Sequence, residues 1–151
     1  LLSCRVDPGL GWDLADREKL EKILLNLLFN SVKFTPAGGR VELLGSREGG
    51  DLVLKVTDTG MGIAEIDLPH VFDRFFQVDS SAQRKYQGTG IGLALVKELT
   101  EAQGGTVSAE SRTGEGTHMT VRIPSSAALL TAIVMPRSLK EAVGLRPSNL
   151  T

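Results

Sequence analysis

The chain has 151 residues, enough for one domain with a substantial hydrophobic core. Its 17 Lys plus Arg residues nearly balance its 18 Asp plus Glu residues, and the resulting net charge of −1 gives no support for nucleic-acid binding. The lone Cys4 rules out an internal disulfide, and no stretch reaches the roughly 20 apolar residues that a membrane-spanning helix needs.

The first half of the chain contains predicted strands and one long helix. Residues 1–6 are weakly typical of a strand, which ends at the turn signal Asp7-Pro8-Gly9. Asp16 is a plausible N-cap for a helix that extends to about Phe34, because apolar residues recur at helical spacing at Leu20, Ile23, Leu24, Leu27 and Leu28. Residues 41–47 and 52–58 are typical of strands, joined as a hairpin by Glu48-Gly49-Gly50.

The second half begins with a long irregular segment, residues 59–88, which contains one short helical candidate at 68–72. A helix at 91–102, ended by Gly104-Gly105, precedes strands at 106–110 and 117–123. These elements predict an α+β fold, a two-layer α/β sandwich whose mixed, mostly antiparallel sheet is covered on one face by helices. We assign residues 1–124 to this domain and 125–151 to a C-terminal tail or linker.

Three polar residues interrupt the apolar run of the first helix. At about 100° per residue, Asn30 lies about 40° from Asn26 and Lys33 about 20° to the other side, so the three form one narrow stripe. Buried amides cost free energy unless they are paired, and a polar stripe beside a core therefore favours a polar ligand. The Asn carbonyl oxygen suits Mg²⁺ and the Lys ammonium suits phosphate. The alternative is an amphipathic helix whose stripe faces water.

An acidic residue ends the second hairpin strand. Residues 52, 54 and 56 are apolar and face one side, and Asp58 continues their parity, which places its carboxylate on the core side. There it can accept a hydrogen bond from an amine such as that of adenine. Gly60 and Gly62 follow, and glycines allow backbone to approach a ligand closely. An ordinary Asp-x-Gly turn is the alternative.

Glycine-rich segments precede the second long helix and the last strand. The run Gly88-Thr89-Gly90-Ile91-Gly92-Leu93 opens the helix, where free amide groups favour anions and glycines leave room for them. A flexible hinge into the helix is the alternative. Thr117 shares the parity of the apolar residues at 119, 121 and 123, so its hydroxyl is expected to face inward.

In this order and spacing, the four signals resemble the catalytic ATP-binding domain of sensor histidine kinases, a branch of the superfamily that includes gyrase, Hsp90 and MutL. The resemblance covers about residues 5–124, and the ordered set is far more specific than any one motif. The segment Leu68-Pro69-His70-Val71-Phe72-Asp73-Arg74-Phe75-Phe76 resembles the phenylalanine box of the histidine-kinase branch. The resemblance implies a Bergerat-type sandwich with a mobile ATP lid.

The resemblance also implies roles for individual residues. Asn30 would ligate Mg²⁺, Lys33 would contact phosphate, and Asp58 would bind the adenine amine, with Thr117 helping to fix the base. Further nucleotide contacts are implied in two glycine-containing segments, at Gly60, Gly62 and Ile63 and at Gly88, Thr89, Gly90, Ile91, Gly92 and Leu93. Residues 77–87 would form the lid, in which three residues are expected near phosphate or ring: Arg84, Lys85 and Tyr86.

Asn26 is informative because it is not an acid. In ATP-hydrolysing relatives the equivalent helix position is a Glu that activates water, and an amide cannot act as a general base. The resemblance therefore favours a protein-histidine kinase, which transfers the γ-phosphate of Mg-ATP to a histidine, over a hydrolytic relative. Neither His70 nor His118 is expected to be that acceptor or a metal ligand.

The implied partners are ATP or ADP, the dimerisation and phosphoacceptor domain of a longer parent protein, and indirectly a response regulator. We expect the chain itself to be cytoplasmic and monomeric and not to autophosphorylate, while membrane attachment of the parent stays open. Two alternatives are an anti-sigma-type serine kinase, disfavoured by the phenylalanine box and the long lid, and a regulatory module without kinase activity. Intact Asn30, Lys33 and Asp58 disfavour the second.

Overall fold

The computed structural model describes residues 1–7, 10, 16–78 and 88–124. Within these residues five strands form one sheet in the order β1-β2-β3-β5-β4. Two α-helices accompany it, α1 (Arg17–Phe34) and α2 (Gly92–Glu101), with a 3-10 turn at Leu68–His70. The strands are β1 (Leu2–Val6), β2 (Val41–Glu48), β3 (Asp51–Asp58), β4 (Thr106–Arg112) and β5 (Gly116–Ile123).

The pairing of the strands confirms the predicted mixed sheet. β1 runs parallel to β2, whereas β2–β3, β3–β5 and β5–β4 are antiparallel pairs. β3 and β5 are adjacent in the sheet, and their register sets Asp58 directly opposite Thr117. β4 extends to Arg112, two residues beyond the predicted strand, because Ser111 and Arg112 pair with the first residues of β5 across a tight turn. The sheet thus brings two sequence-distant motifs to one place.

The helices cover one face of the sheet, as predicted. The buried core joins the apolar stripe of α1, including Ile23 and Leu27, to Val96 of α2 and to the inward residues of the strands, such as Val56 and Val121. Alternation along the strands explains this arrangement, because residues two apart point to the same side of a pleated sheet. The amphipathic pattern of each helix then has one apolar surface to bury.

The ends of α1 follow the signals in the sequence. The Asp16 carboxylate accepts a hydrogen bond from the Lys19 amide at 3.1 Å, which confirms the predicted N-cap. The helix ends at Phe34, and Thr35 adopts extended dihedral angles of −100° and 120° ahead of Pro36. The helical candidate at 68–72 is shorter than predicted and forms only the 3-10 turn. Residues 125–151, predicted as a tail, lie outside the described residues.

Ion pairs connect β2, β3 and β5 on the sheet face that lies away from the helices. Arg122 on β5 contacts Glu48 at 2.8 Å and Asp51 at 3.4 Å, and its hydrogen bond lowers the pKa of the Glu48 carboxyl. Such exposed pairs contribute little free energy individually.

Cys4 packs partly buried against the core, where burial raises the pKa of its thiol. None of the helices in the described residues is long and apolar enough to span a membrane.

Candidate functional site

A cavity of 620 Å³ lies where α1, the start of α2 and the ends of β3 and β5 meet, a size typical of small-molecule sites. The structure brings into it residues from every motif identified in the sequence. They are Asn26, Asn30, Lys33, Asp58, Gly62, Ile63, Gly88, Thr89, Gly90, Ile91, Gly92, Leu93 and Thr117. Gly60 lies beside this lining rather than in it, and Tyr86 is outside the described residues.

Asp58 provides a buried acceptor at one end of the cavity. The residue is 6% exposed, which confirms the inward orientation expected from strand parity. Its Oδ1 accepts hydrogen bonds from the Gly60 amide at 2.9 Å and the Thr117 amide at 3.2 Å. No described residue donates to Oδ2. A buried carboxylate oxygen without a donor is costly, so this end of the cavity is suited to a ligand that carries an N–H group.

The polar stripe of α1 lines the same cavity. Asn26 donates from its Nδ2 to the Lys22 carbonyl at 2.8 Å, which leaves its Oδ1 directed towards the start of α2. A Cβ placed on Gly92 would lie 2.9 Å from that Oδ1. The Asn30 amide has no hydrogen-bond partner among the described residues. The stripe therefore lines the cavity, with each of its three side chains half-buried.

Lys33 is the positively charged side chain among the described residues that line the cavity. Its Nζ lies 5.2 Å from the centre of the Phe34 ring and forms no ion pair with any described residue. A Cβ on Gly88 would lie 2.8 Å from this Nζ, so the ammonium sits against the glycine-rich segment. An ammonium that has no ion-pair partner among the described residues and lies next to glycine backbone can attract an anionic ligand.

The glycine-rich segment runs into α2 at the cavity. α2 begins at Gly92, one residue later than predicted, and its N-cap residue Ile91 makes no side-chain capping hydrogen bond. The first amide groups of the helix are therefore free of a side-chain cap, and the helix dipole favours an anion near them. Lys33 and these amides together make this end of the cavity electropositive.

The segment at 68–76 forms part of the cavity wall through Val71 and Phe76. It is attached to α2, because the Nε of Arg74 donates to Glu98 at 2.8 Å. Phe75 has a positive φ of 64° and donates from its amide to the Gly90 carbonyl at 2.9 Å. The Gln77 side chain also donates to the Gly88 carbonyl. The start of the predicted lid is thus joined to the glycine-rich segment, while lid residues 79–87 are outside the described residues.

The absence of a side chain at Gly60 and Gly62 allows contacts within the protein, whereas the sequence had suggested contacts with a ligand. A Cβ on Gly60 would meet the Phe34 carbonyl oxygen at 2.5 Å, and one on Gly62 would meet the Arg112 carbonyl oxygen at 1.9 Å. The close approach made possible by these glycines is between segments of the protein's own backbone. They seat the loop after β3 against α1 and β4, and so shape the wall that Gly62 and Ile63 present to the cavity.

Comparison with known proteins identifies this arrangement. The family model described as histidine kinase-, DNA gyrase B- and HSP90-like ATPase matches residues 15–127. The chain belongs to this ATPase family. It is 45% identical over 126 residues to an uncharacterised sensor-like histidine kinase of Rhizobium meliloti, covering 83% of the chain and 24% of that protein. It is 48% identical over 110 residues to the circadian input-output histidine kinase CikA of Synechococcus elongatus, covering 73% of the chain and 15% of CikA.

Solved structures agree with the family assignment. Full-length ShkA in complex with AMPPNP superposes with a TM-score of 0.73 at 36% identity, covering 87% of this chain and 26% of ShkA. The two-layer α+β sandwich predicted from the sequence is therefore the fold of histidine-kinase ATPase domains. The chain spans about a quarter or less of the length of the curated relatives described above.

Several residues that line the cavity were not predicted from the sequence. Met119 shares the parity of Thr117, and Met61 lies between the two glycines after Asp58, so both could have been predicted. Ser31 is 4% exposed, lines the cavity and has no side-chain hydrogen bond to a described residue. Its position about 140° from Asn26 around α1 lies outside the polar stripe, which is why helical periodicity did not indicate it.

The two histidines lie where the sequence placed them, away from the cavity. His118 is exposed on β5 and its Nδ1 lies 3.0 Å from the Thr57 hydroxyl. His70 is exposed and its Nδ1 lies 3.0 Å from the Asp73 carboxylate. Among the described residues no three His, Cys, Asp or Glu side chains cluster as a metal site.

Proposed function

We propose that this chain binds Mg-ATP and donates its γ-phosphate to a histidine on a separate domain, as the catalytic part of a sensor histidine kinase. One observation carries the proposal: the buried Asp58 carboxylate and the Lys33 ammonium share one cavity, and neither Asp58 Oδ2 nor Lys33 Nζ has a polar partner among the described residues. An adenine nucleotide has an amine at one end and phosphates at the other. The similarity to sensor histidine kinases, and to ShkA with AMPPNP, supports the same function.

The two ends of the cavity would have separate tasks. Asp58 and Thr117 would hold the adenine base, and the apolar side chains of Met61 and Met119 would pack beside it. Lys33 and the amides at the start of α2 would hold the phosphates and neutralise their charge. Phosphoryl transfer depends mainly on positioning and charge neutralisation, which are the two contributions that these residues can make.

The cavity suits a magnesium ion that is held largely by phosphate and water. Asn30 offers one side-chain oxygen without a partner in the described part of the chain, and no acidic cluster surrounds it. Mg²⁺ commonly keeps several waters and binds phosphates with few protein ligands. When bound, the ion would supply charge neutralisation at the phosphates, and Asn30 would hold it in place.

Transfer rather than hydrolysis is favoured by the amide at position 26. Asn26 is fixed to the Lys22 carbonyl and cannot take a proton from water.

The mouth of the cavity is apolar, since Phe29 and Ile91 line it and are 65% and 44% exposed. This rim would dock the histidine-bearing domain beside the terminal phosphate. With that domain on a different segment, the chain would be monomeric.

The proposed function predicts one-to-one binding of Mg-ATP without self-phosphorylation. In calorimetry the chain should bind Mg-ATP and Mg-ADP with a stoichiometry of one. With radiolabelled ATP, label should remain absent from the chain alone and should appear, in acid-labile form, on an added histidine-bearing helical hairpin of a sensor histidine kinase. Absence of binding at millimolar nucleotide, or label on the chain alone, would contradict the proposal.

Lys33→Gln should separate phosphate binding from base binding. Because the Lys33 ammonium faces the glycine-rich segment, its loss should weaken Mg-ATP binding about tenfold while adenosine binding stays within about twofold. Calorimetry with both ligands checks this. Lys97→Gln, on the exposed face of α2 and outside the cavity, is the matched control and should change neither affinity. Equal losses for ATP and adenosine would show that Lys33 does not contact phosphate.

A further inference from the structure

Ser111, on β4, lies outside the cavity lining but contacts three groups that shape its adenine-facing end. Its Oγ accepts from the Ile63 amide at 2.8 Å and donates to the Gly116 carbonyl at 2.6 Å. The same oxygen lies 3.0 Å from the Thr117 hydroxyl, in line with the pairing of Ser111 and Thr117 across β4 and β5. One hydroxyl therefore links the loop after β3 to the first residues of β5.

The single hydrogen of the Ser111 hydroxyl determines which partner donates in its contact with Thr117. A serine hydroxyl has one hydrogen and two acceptor positions. The Ile63 amide can only donate, and the Gly116 carbonyl can only accept, so the single hydrogen of Ser111 goes to Gly116. The contact between the two hydroxyls must then use the hydrogen of Thr117, with Ser111 as the acceptor.

The direction of that bond determines what Thr117 offers to the cavity. With its hydrogen engaged by Ser111, the Thr117 oxygen presents only lone pairs. The neighbouring Asp58 is an acceptor as well when it is ionised, and its Oδ2 is free of donors among the described residues. Asp58 and Thr117, which face each other across β3 and β5, thus present two acceptors and no donor.

We propose that Ser111 is a positioning residue that makes this pair select a 6-amino purine over a 6-oxo purine. The inference rests on the proposed function, because it concerns the base of the nucleotide bound in the same cavity. An exocyclic amine satisfies both acceptors, whereas a 6-oxo group brings a third acceptor towards them. Without Ser111 the Thr117 hydroxyl can rotate and donate to the 6-oxo group.

The test compares ATP with inosine triphosphate, whose purine has a 6-oxo group in place of the 6-amine and a hydrogen on N1. Calorimetry of the full chain with each Mg-nucleotide gives a ratio of dissociation constants. Ser111→Ala should lower the preference for ATP about tenfold, the value of one neutral hydrogen bond gained by the 6-oxo base. Ser108→Ala, the same change on an exposed position of β4, should leave the ratio unchanged. Ser111→Thr keeps the hydroxyl and should retain the preference.

Measurements in the Thr117→Val background distinguish an effect on the orientation of the Thr117 hydroxyl from a general loss of structure. In Thr117→Val no hydroxyl remains to be oriented, so adding Ser111→Ala should alter the affinities for both nucleotides by the same factor. If Ser111→Ala does not fold, Thr117→Val tests whether the Thr117 hydroxyl contributes to the preference for ATP, and an unchanged ratio would overturn the inference.

Each failure has a separate meaning. Equal weakening of both nucleotides by Ser111→Ala in the wild-type background would overturn the positioning role and leave only structural support. A wild-type chain that binds ATP without preferring it to inosine triphosphate would overturn the inference while the proposed function stands. A wild-type chain that binds neither nucleotide would overturn the proposed function itself.

Discussion

Asp58→Asn is expected to weaken Mg-ATP binding about 100-fold, more than the loss of charge alone would cause. In the structure Oδ1 of Asp58 is held by the amides of Gly60 and Thr117, at 2.9 Å and 3.2 Å. An asparagine would keep its oxygen on these two donors and would place its NH₂ where Oδ2 now lies. A donor would then face the adenine amine, which is also a donor.

Calorimetry with Mg-ATP measures this loss, and circular dichroism confirms that the variant is folded. Asp67→Asn removes the same charge at a position outside the cavity and should bind ATP like the wild type. Because the two backbone donors remain satisfied in Asp58→Asn, its stability should change far less than its affinity. An affinity equal to that of the wild type would mean that the adenine pocket is wrongly assigned.

Gly62→Ala is expected to lower the free energy of unfolding by about 3 kcal/mol. Two costs combine at this position. Gly62 has a φ of +70°, which L-residues with a Cβ adopt at a cost, and the new Cβ would lie 1.9 Å from the Arg112 carbonyl oxygen. Because that oxygen is backbone of β4, relief requires the loop or the strand to move.

Urea unfolding followed by circular dichroism measures the effect, and Gly114→Ala isolates its cause. Gly114 has a φ of +81° but no atom within 4 Å of the position that a Cβ would take, so alanine there should cost only about 1 kcal/mol. Similar losses for the two variants would show that the backbone contact with Arg112 is unimportant. A larger loss at Gly62 supports the seating of the loop against β4.

The residues that the sequence placed correctly are those whose direction depends on local periodicity. Asn26, Asn30 and Lys33 share a face of α1 because a helix turns about 100° per residue. Asp58 and Thr117 point inward because side chains alternate along a strand. Both periods are properties of the backbone alone, so a single sequence is sufficient to apply them.

The structural role of the glycines could not be predicted in the same way. The sequence indicated that Gly60 and Gly62 permit a close approach, but the partners are the carbonyls of Phe34 and Arg112, which are distant in the chain. Only the packing of the loop against α1 and β4 determines which atoms occupy that space. Phe75 likewise combines a positive φ with a hydrogen bond to the Gly90 carbonyl, and no local signal in the sequence marks either feature.

The sequence by itself thus determined the fold class, the family resemblance and the inward faces that carry the cavity, because these depend on spacing along one element. Tertiary structure decided how those faces meet. The bond from Thr117 to Ser111 depends on the register between β4 and β5, and the contact of Asp58 with Thr117 depends on the register between β3 and β5. Hydrogen-bond direction at such contacts depends on atoms from several segments at once, which no single stretch of sequence specifies.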